Sequence, residues 1–281
     1  MKHIYLNLKR FDVPAQLGGV NHGIPVRRWG EEIVLRIQKE LTQYDAGQSE
    51  FVAFFPEAHL LCAAEARVPG SPVRLGCQGV FRDDVAPGGN FGAFTTNFPA
   101  AAARALGCTH VLIGHCEERK DKYSLLRAAG VAREMANETV NRVLNEEIKA
   151  AQKQGLEVLY CIGEDLDEQP QWQRVLGDQL DAGLRDVDTR HIVIAYEPIW
   201  SIGPGRRPAD AQYIDKAARF IKEHTGGMDV VYGGGLKKEN AAMLAAVASV
   251  DGGLIALTRF SGEIGFYPEE YLEIVRLYLN G

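Results

Sequence analysis

Eight short apolar runs recur along this chain, each followed by a longer amphipathic stretch, and this alternation constrains the fold more than any other feature. The runs are Ile4–Leu8, Phe51–Phe55, Val73–Cys77, Val111–Gly114, Val158–Ile162, Ile192–Tyr196, Val230–Tyr232 and Gly253–Leu257. They are rich in β-branched and aromatic residues and bounded by Gly, Pro or polar residues, as strands buried on both faces are. The stretches between them have helical spacing. In Arg28–Tyr44 the apolar residues Ile33, Val34, Ile37 and Leu41 share one face. Glu57–Val68, Pro99–Leu106, Glu134–Gln154, Gln171–Leu184, Pro208–His224, Lys237–Val247 and Pro268–Leu279 read the same way. Pro208 and Pro268 suit a first helical turn, and Gly107 and Gly155 suit helix ends. Strands alternating with helices build a parallel sheet, and eight such strands close on themselves. The expected fold class is therefore α/β, a closed (β/α)8 barrel, with residues 1–281 as a single domain.

Bulk properties narrow the function. The 281 residues match the size of one such barrel. The net charge of -6 is spread without a block of like charge, so neither a nucleic acid nor an acidic membrane surface is an expected partner. The five cysteines, Cys62, Cys77, Cys108, Cys116 and Cys161, are odd in number and form no C-x-x-C pair. They read as reduced thiols, with no disulfide or metal framework. Met1–Asn7 does not read as a signal peptide, and no apolar run reaches the roughly 18 residues of a membrane span. A cytoplasmic protein without a metal or cofactor is expected.

In a barrel of this kind function sits where strands end and the following loops begin. The residues there are Asn7 and Lys9, Gln78, His115-Cys116-Glu117, Cys161 to Glu164, Glu197-Pro198, Gly233-Gly234-Gly235 and Thr258-Arg259. Any one of them has a plain reading as a cap or loop residue. The convergence of so many polar and titratable groups on one rim reads as a site.

The motifs carry a resemblance. Asn7-Leu8-Lys9, Ile113-Gly114-His115-Cys116-Glu117, Cys161-Ile162-Gly163-Glu164, Tyr232-Gly233-Gly234-Gly235, Gly92-Ala93-Phe94-Thr95 and the eleven residues Ala195 to Gly205 resemble, in order, the motifs of the triosephosphate isomerase family. That resemblance implies a TIM barrel and a cofactor-independent aldose-ketose isomerase that works through an enediol(ate). Such a reaction needs a base and an electrophile that holds charge on oxygen. By resemblance Glu197 is the base, His115 a neutral electrophile and Lys9 a fixed cation for the phosphate and the enediolate. Asn7 contacts the substrate and positions Lys9, and Glu117 is a partner for Lys9 or a second proton carrier. Pro198–Gly205 resembles a lid that brings the Gly203 N–H onto the phosphate. Gly234 and Gly235 offer further backbone donors.

The departures cluster at the substrate's far end. Leu254-Ile255-Ala256-Leu257-Thr258-Arg259 lacks the family's phosphate-binding glycines after strand eight, and Gly235 replaces a serine. Arg259 has two readings, a bidentate phosphate ligand or a solvated loop residue. Loops one (Phe11–Val26) and three (Arg82–Phe91) are longer than the family's, Glu118 stands where the family has arginine, and the second lid hinge, Arg206-Arg207-Pro208, is short. The first expectation is interconversion of dihydroxyacetone phosphate and glyceraldehyde 3-phosphate by a homodimer. Isomerisation of another small sugar phosphate, such as erythrulose phosphate, is the second. A non-catalytic binding barrel is the third.

Overall fold

The computed structural model describes residues 1–202, 206 and 208–280. Its strands are β1 (Lys2–Asn7), β2 (Ser49–Phe55), β3 (Val73–Cys77), β4 (His110–Ile113), β5 (Glu157–Ile162), β6 (Ile192–Tyr196), β7 (Val230–Tyr232) and β8 (Gly252–Ile255). All pair in parallel with their sequence neighbours, and β1 pairs β8 from His3↔Gly252 to Leu6↔Ile255 to close the barrel. The helices are α1 (Trp29–Leu41), α2 (Glu57–Glu65), α3 (Ala100–Ala105), α4 (Cys116–Ala128), α5 (Arg133–Lys153), α6 (Trp172–Gly183), α7 (Ala211–Thr225), α8 (Ala241–Ala245) and α9 (Pro268–Leu279). The (β/α)8 expectation holds. None of the described helices is long and apolar enough to cross a membrane.

Strand periodicity divides the core in two. Ile4, Leu6, Val111, Ile113 and Ile194 face outward into the layer shared with the helices. Tyr5, Val52, Phe54, Leu112, Leu159, Cys161, Ala195, Val231 and Leu254 face inward and fill the barrel. Gly76 makes room for Phe54, because a Cβ there would stand 2.3 Å from the ring. The free cysteines follow the layers: Cys77, Cys108 and Cys161 are buried, Cys62 and Cys116 half-buried.

Three local expectations change. The stretch after Glu117 is helical, not loop: α4 starts at Cys116 with His115 as N-cap. It buries only Arg119, so it has no apolar stripe for periodicity to detect; its acidic first turn, Glu117 and Glu118, complements the helix dipole instead. Pro208 lies outside α7, which begins after Asp210, whose side chain caps it by accepting the Tyr213 N–H. Strand eight stops at Ile255, and the chain beyond turns back so that Arg259 bridges Gly265.

Loop one is anchored to its surroundings. Buried Asp12 accepts from His59 Nε2 of α2 (3.1 Å) and from Arg10 (2.8 Å). Asn21 Oδ1 accepts the N–H groups of Gly23 and Ile24, and His22 Nε2 meets the Ile264 carbonyl of the strand-eight loop.

The inward positions one step below the apolar filling carry charge. Glu50 Oε2 accepts from His3 Nδ1 (2.8 Å) and Tyr5 OH (3.0 Å); Oε1 accepts from Arg74 (2.6 Å) and faces His110 Nε2 (3.2 Å). His3 Nε2 also reaches Asp229 (2.9 Å). Burial alone would raise the Glu50 carboxyl, but the bonds from His110 and His3 prevail and hold it well below the usual carboxylate range. Burial likewise lowers His3, and the bonds to Asp229 and Glu50 outweigh it, leaving His3 raised. The signs differ. The Glu50 contribution is present above the unfolded carboxylate pKa and is lost as pH falls through its depressed folded value. The His3 contribution is present below the unfolded imidazole pKa and is lost as pH rises through the raised one. Glu50→Gln should cost about 3 kcal/mol of stability at neutral pH, the cost of stranding buried partners, and leave kcat unchanged. Thermal unfolding from pH 3 to 9 tests this; an acid limb as steep in the variant as in the parent would contradict the assignment.

Candidate active site

The same inward positions, followed upward, build the rim. Above Ala195 the next inward residue is Glu197; above Tyr5 it is Asn7; above Cys161 and Val231 come Gly163 and Gly233. Glu197 is only 2% exposed. The glycines let it sit there: a Cβ on Gly163 would lie 1.8 Å from the Glu197 carbonyl oxygen, and one on Gly233 would lie 2.7 Å from its Cγ. Gly233→Ala should therefore displace the carboxylate and lower kcat by about 100-fold while the barrel still unfolds cooperatively. An unchanged kcat would show that the carboxylate position does not matter.

Glu197 Oε2 accepts the Cys116 N–H (3.0 Å), and Oε1 faces His115 Nε2 at 3.4 Å. Burial raises the Glu197 carboxyl above its ordinary value, opposed by His115 and the Cys116 N–H. His115 Nδ1 accepts the Glu117 N–H (3.3 Å) at the start of α4. An Nδ1 that accepts leaves the ring proton on Nε2, aimed at Glu197. Titratable groups poised like this in a rim are what proton transfer needs.

Lys9 has φ +41°, a conformation unusual for a side-chain-bearing residue. Asn7 holds it there, with Asn7 Oδ1 accepting the Lys9 N–H (3.0 Å), and Gln78 Nε2 donates to the Lys9 carbonyl (3.0 Å). Lys9 Nζ donates to Glu117 Oε1 (3.0 Å). Burial would raise the Glu117 carboxyl, but Lys9 prevails and lowers it.

The far end is built differently from the sequence expectation. Thr258 and Arg259 both donate their N–H groups to the Gly265 carbonyl (3.2 and 3.1 Å). The Arg259 guanidinium binds Glu270 through Nε (2.9 Å) and Nη2 and stacks over Tyr267. Arg259 thus clamps the loop to α9. Gly235 has φ +99°, and Gly234 would press a Cβ within 2.3 Å of the Tyr232 hydroxyl oxygen. The Gly203 donor lies outside the described residues, as do Pro204, Gly205 and Arg207.

The sequence places Glu164 on the rim without its partners, and gives Arg119, Lys122 and Glu147 no role. Glu164 Oε1 accepts from Tyr196 OH (3.0 Å), Trp200 Nε1 (2.8 Å) and Tyr213 OH (3.1 Å), which fastens the first segment of the lid to the barrel. Arg119 is buried and donates to the Gly114 and Cys161 carbonyls, tying the ends of β4 and β5 together. Its guanidinium leaves Glu118 to a different network: Glu118 accepts the Gly114 N–H and the Lys122 ammonium, and Lys122 also reaches buried Glu147. Burial beside Glu118 pushes Glu147 up to about 9. Their contacts are not legible in sequence, because each is made with a partner on another strand, helix or loop. Among the described residues, ligand atoms of His115, Cys116 and Glu197 lie within 4.8 Å of one another, close enough for a metal. Burial and the Glu197 charge push the Cys116 thiol up to about 12.

Comparison with known proteins bears on the family and the fold. The family model described as triosephosphate isomerase matches residues 30–267. The triosephosphate isomerase of Halorhodospira halophila is 32% identical over 265 residues, covering 90% of this chain and 95% of that protein. That of Chloroherpeton thalassium is 32% identical over 219 residues, covering 73% and 76%. The crystal structure of triosephosphate isomerase from Bartonella henselae matches with a TM-score of 0.71 at 23% identity, covering 99% of this chain and 98% of that one, a likeness of fold.

Proposed function

The chain belongs to the triosephosphate isomerase family, and we propose that it interconverts dihydroxyacetone phosphate and glyceraldehyde 3-phosphate with Glu197 as base, His115 as electrophile and Lys9 as fixed cation. The observation that carries the residue roles is the facing pair at the rim, Glu197 Oε1 and His115 Nε2, 3.4 Å apart. In triosephosphate isomerases a glutamate base stands opposite a histidine kept neutral by a helix N-terminus, so that pairing comes with the family.

The reaction follows from the groups present. The Glu197 carboxylate takes a proton from the carbon that bears the substrate hydroxyl, and the electron pair moves onto the adjacent carbonyl oxygen. The proton on His115 Nε2 and the Lys9 ammonium meet the charge that grows there. His115 passes its Nε2 proton to that oxygen and takes up the proton of the neighbouring hydroxyl, while Glu197 returns its proton to the neighbouring carbon, so that the carbonyl ends on the first carbon. Substrate entry exchanges the resting contacts of Glu197 with Cys116 and of Lys9 with Glu117 for contacts with substrate. Asn7 keeps Lys9 in its strained conformation throughout. The Glu164 anchor holds Trp200, in the segment that follows Glu197, against the barrel beside the site.

The wider reading is a cytoplasmic homodimer acting in glycolysis. Phe91 in loop three is 86% exposed and Leu17 in loop one 78% exposed, large apolar groups of the kind a partner subunit covers. Sedimentation of the pure protein tests the dimer. A coupled assay in both directions on triose phosphates tests the activity, with erythrulose phosphate as a second arm. Turnover of the triose pair is expected to exceed that of the tetrose; absence of triose turnover by a folded protein would overturn the proposal.

A further inference from the structure

With the strand-eight loop's Thr258 and Arg259 amides spent on Gly265 and its arginine on Glu270, the substrate's phosphate needs another cation. We infer that Lys237 supplies it, reaching across Gly235 to hold the phosphate between the loops that follow β7 and β8.

Lys237 lies two residues beyond Gly235, and its stem folds back over it. Its Cε stands 3.3 Å from where a Cβ on Gly235 would be. A side chain at position 235 would crowd that stem, and the positive φ there suits glycine. Nζ sits 4.1 Å from the centroid of the Phe260 ring, a residue of the strand-eight loop that is otherwise 46% exposed. A cation over an aromatic face is held in place without being neutralised. Neighbouring Lys238 is paired with Glu273, whereas Lys237 forms no ion pair among the described residues. Its own N–H is taken by Asn240 Oδ1, and the Gly233 and Leu236 amides by the Tyr196 and Leu254 carbonyls. The Gly234 and Gly235 amides between them have no acceptor among the described residues. Two free amides beside a free ammonium make an anion cradle, and loops seven and eight are where barrels of this architecture commonly hold phosphate. A lysine binds phosphate as a flexible point charge, which fits a loop whose Thr258 and Arg259 amides are taken by Gly265.

The inference rests on a phosphorylated substrate at this site, so its test reads phosphate directly as well as turnover. Inorganic phosphate binding is measured by calorimetry on the parent and on Lys237→Met, together with KM and kcat for triose phosphate and turnover of unphosphorylated dihydroxyacetone. Loss of the charge should weaken phosphate binding by on the order of ten- to a hundredfold and raise KM by a similar factor. It should leave kcat nearly unchanged and spare the unphosphorylated substrate. Lys237→Arg should recover part of the affinity, and Phe260→Ala should weaken binding by only about two- to fivefold. Equal phosphate affinity in the parent and Lys237→Met overturns the inference, while leaving the isomerase reading standing if the parent turns over triose phosphate. If the parent lacks that turnover, a phosphate affinity that still depends on Lys237 supports the cradle and sinks the proposed substrate.

Discussion

Glu197→Gln should lower kcat by about 10³–10⁴-fold, the range for removing a positioned general base, with the barrel intact. Gln keeps the size of the side chain and still offers an oxygen to the Cys116 N–H, so only the proton acceptor is lost. Stability should not fall. Burial works against the ionised carboxyl, as its raised pKa shows, and a neutral amide removes that cost. Activity and melting temperature are thus predicted to move independently. The parent's kcat/KM should also decline on the acid side at a pH above the ordinary carboxylate value of about 4.3, because Glu197 must be ionised to act. That limb should vanish from the residual activity of the Gln variant. Glu197→Asp retains the charge but retracts it, and a displacement of about 1 Å is worth about 100-fold. A Gln variant with kcat within tenfold of the parent would remove Glu197 from the chemistry.

Lys9→Met should lower kcat/KM by about 10³-fold, the upper range for one lost stabilising donor, because in the proposed mechanism the Lys9 ammonium faces both the phosphate and the developing oxyanion. KM should rise and kcat fall together. The strained backbone at Lys9 offers a control. Lys9→Gly relaxes the positive φ while deleting the charge, and relief of strain offsets the flexibility that glycine adds to the unfolded chain. Its stability should stay close to the parent's while activity is lost as in Lys9→Met. Glu117→Gln separates the two readings of Glu117: a partner of Lys9 gives a modest loss and a changed salt dependence, whereas a proton carrier gives a loss comparable to Glu197→Gln. Near-parent kcat/KM in Lys9→Met would show that this cation does not face the substrate.

How legible the molecule was varied from one element to the next. The β6 run Ile192–Tyr196 and the placement of Glu197 one step beyond it could be read directly, because strand parity is a property of neighbours in sequence. The same holds for Pro268 at the first turn of α9 and for the glycines that end helices at 107 and 155. Helix α4 was missed because its charged surface lacks an apolar stripe. Pro208 misled because Asp210 is the stronger start signal: its side chain satisfies an orphan N–H, whereas proline only tolerates the position. The contacts of Arg259 were not legible in sequence, since its partner Glu270 lies on the next helix and Tyr267 supplies a ring to stack on.

Local order in the chain determined the barrel, its eight strands and the rim residues Asn7, Lys9, His115 and Glu197, because alternation and strand ends are written in consecutive residues. Tertiary structure decided what those residues meet. It set Glu197 against His115 and Cys116, and Lys9 against Glu117. It gathered His3, Glu50, Arg74, His110 and Asp229 on the barrel floor, and it laid Lys237 between Gly235 and Phe260. The physical reason is closure. Joining β1 to β8 turns an inward parity shared by distant strands into direct contact, and hydrogen bonds and ion pairs form across that contact whatever the separation along the chain.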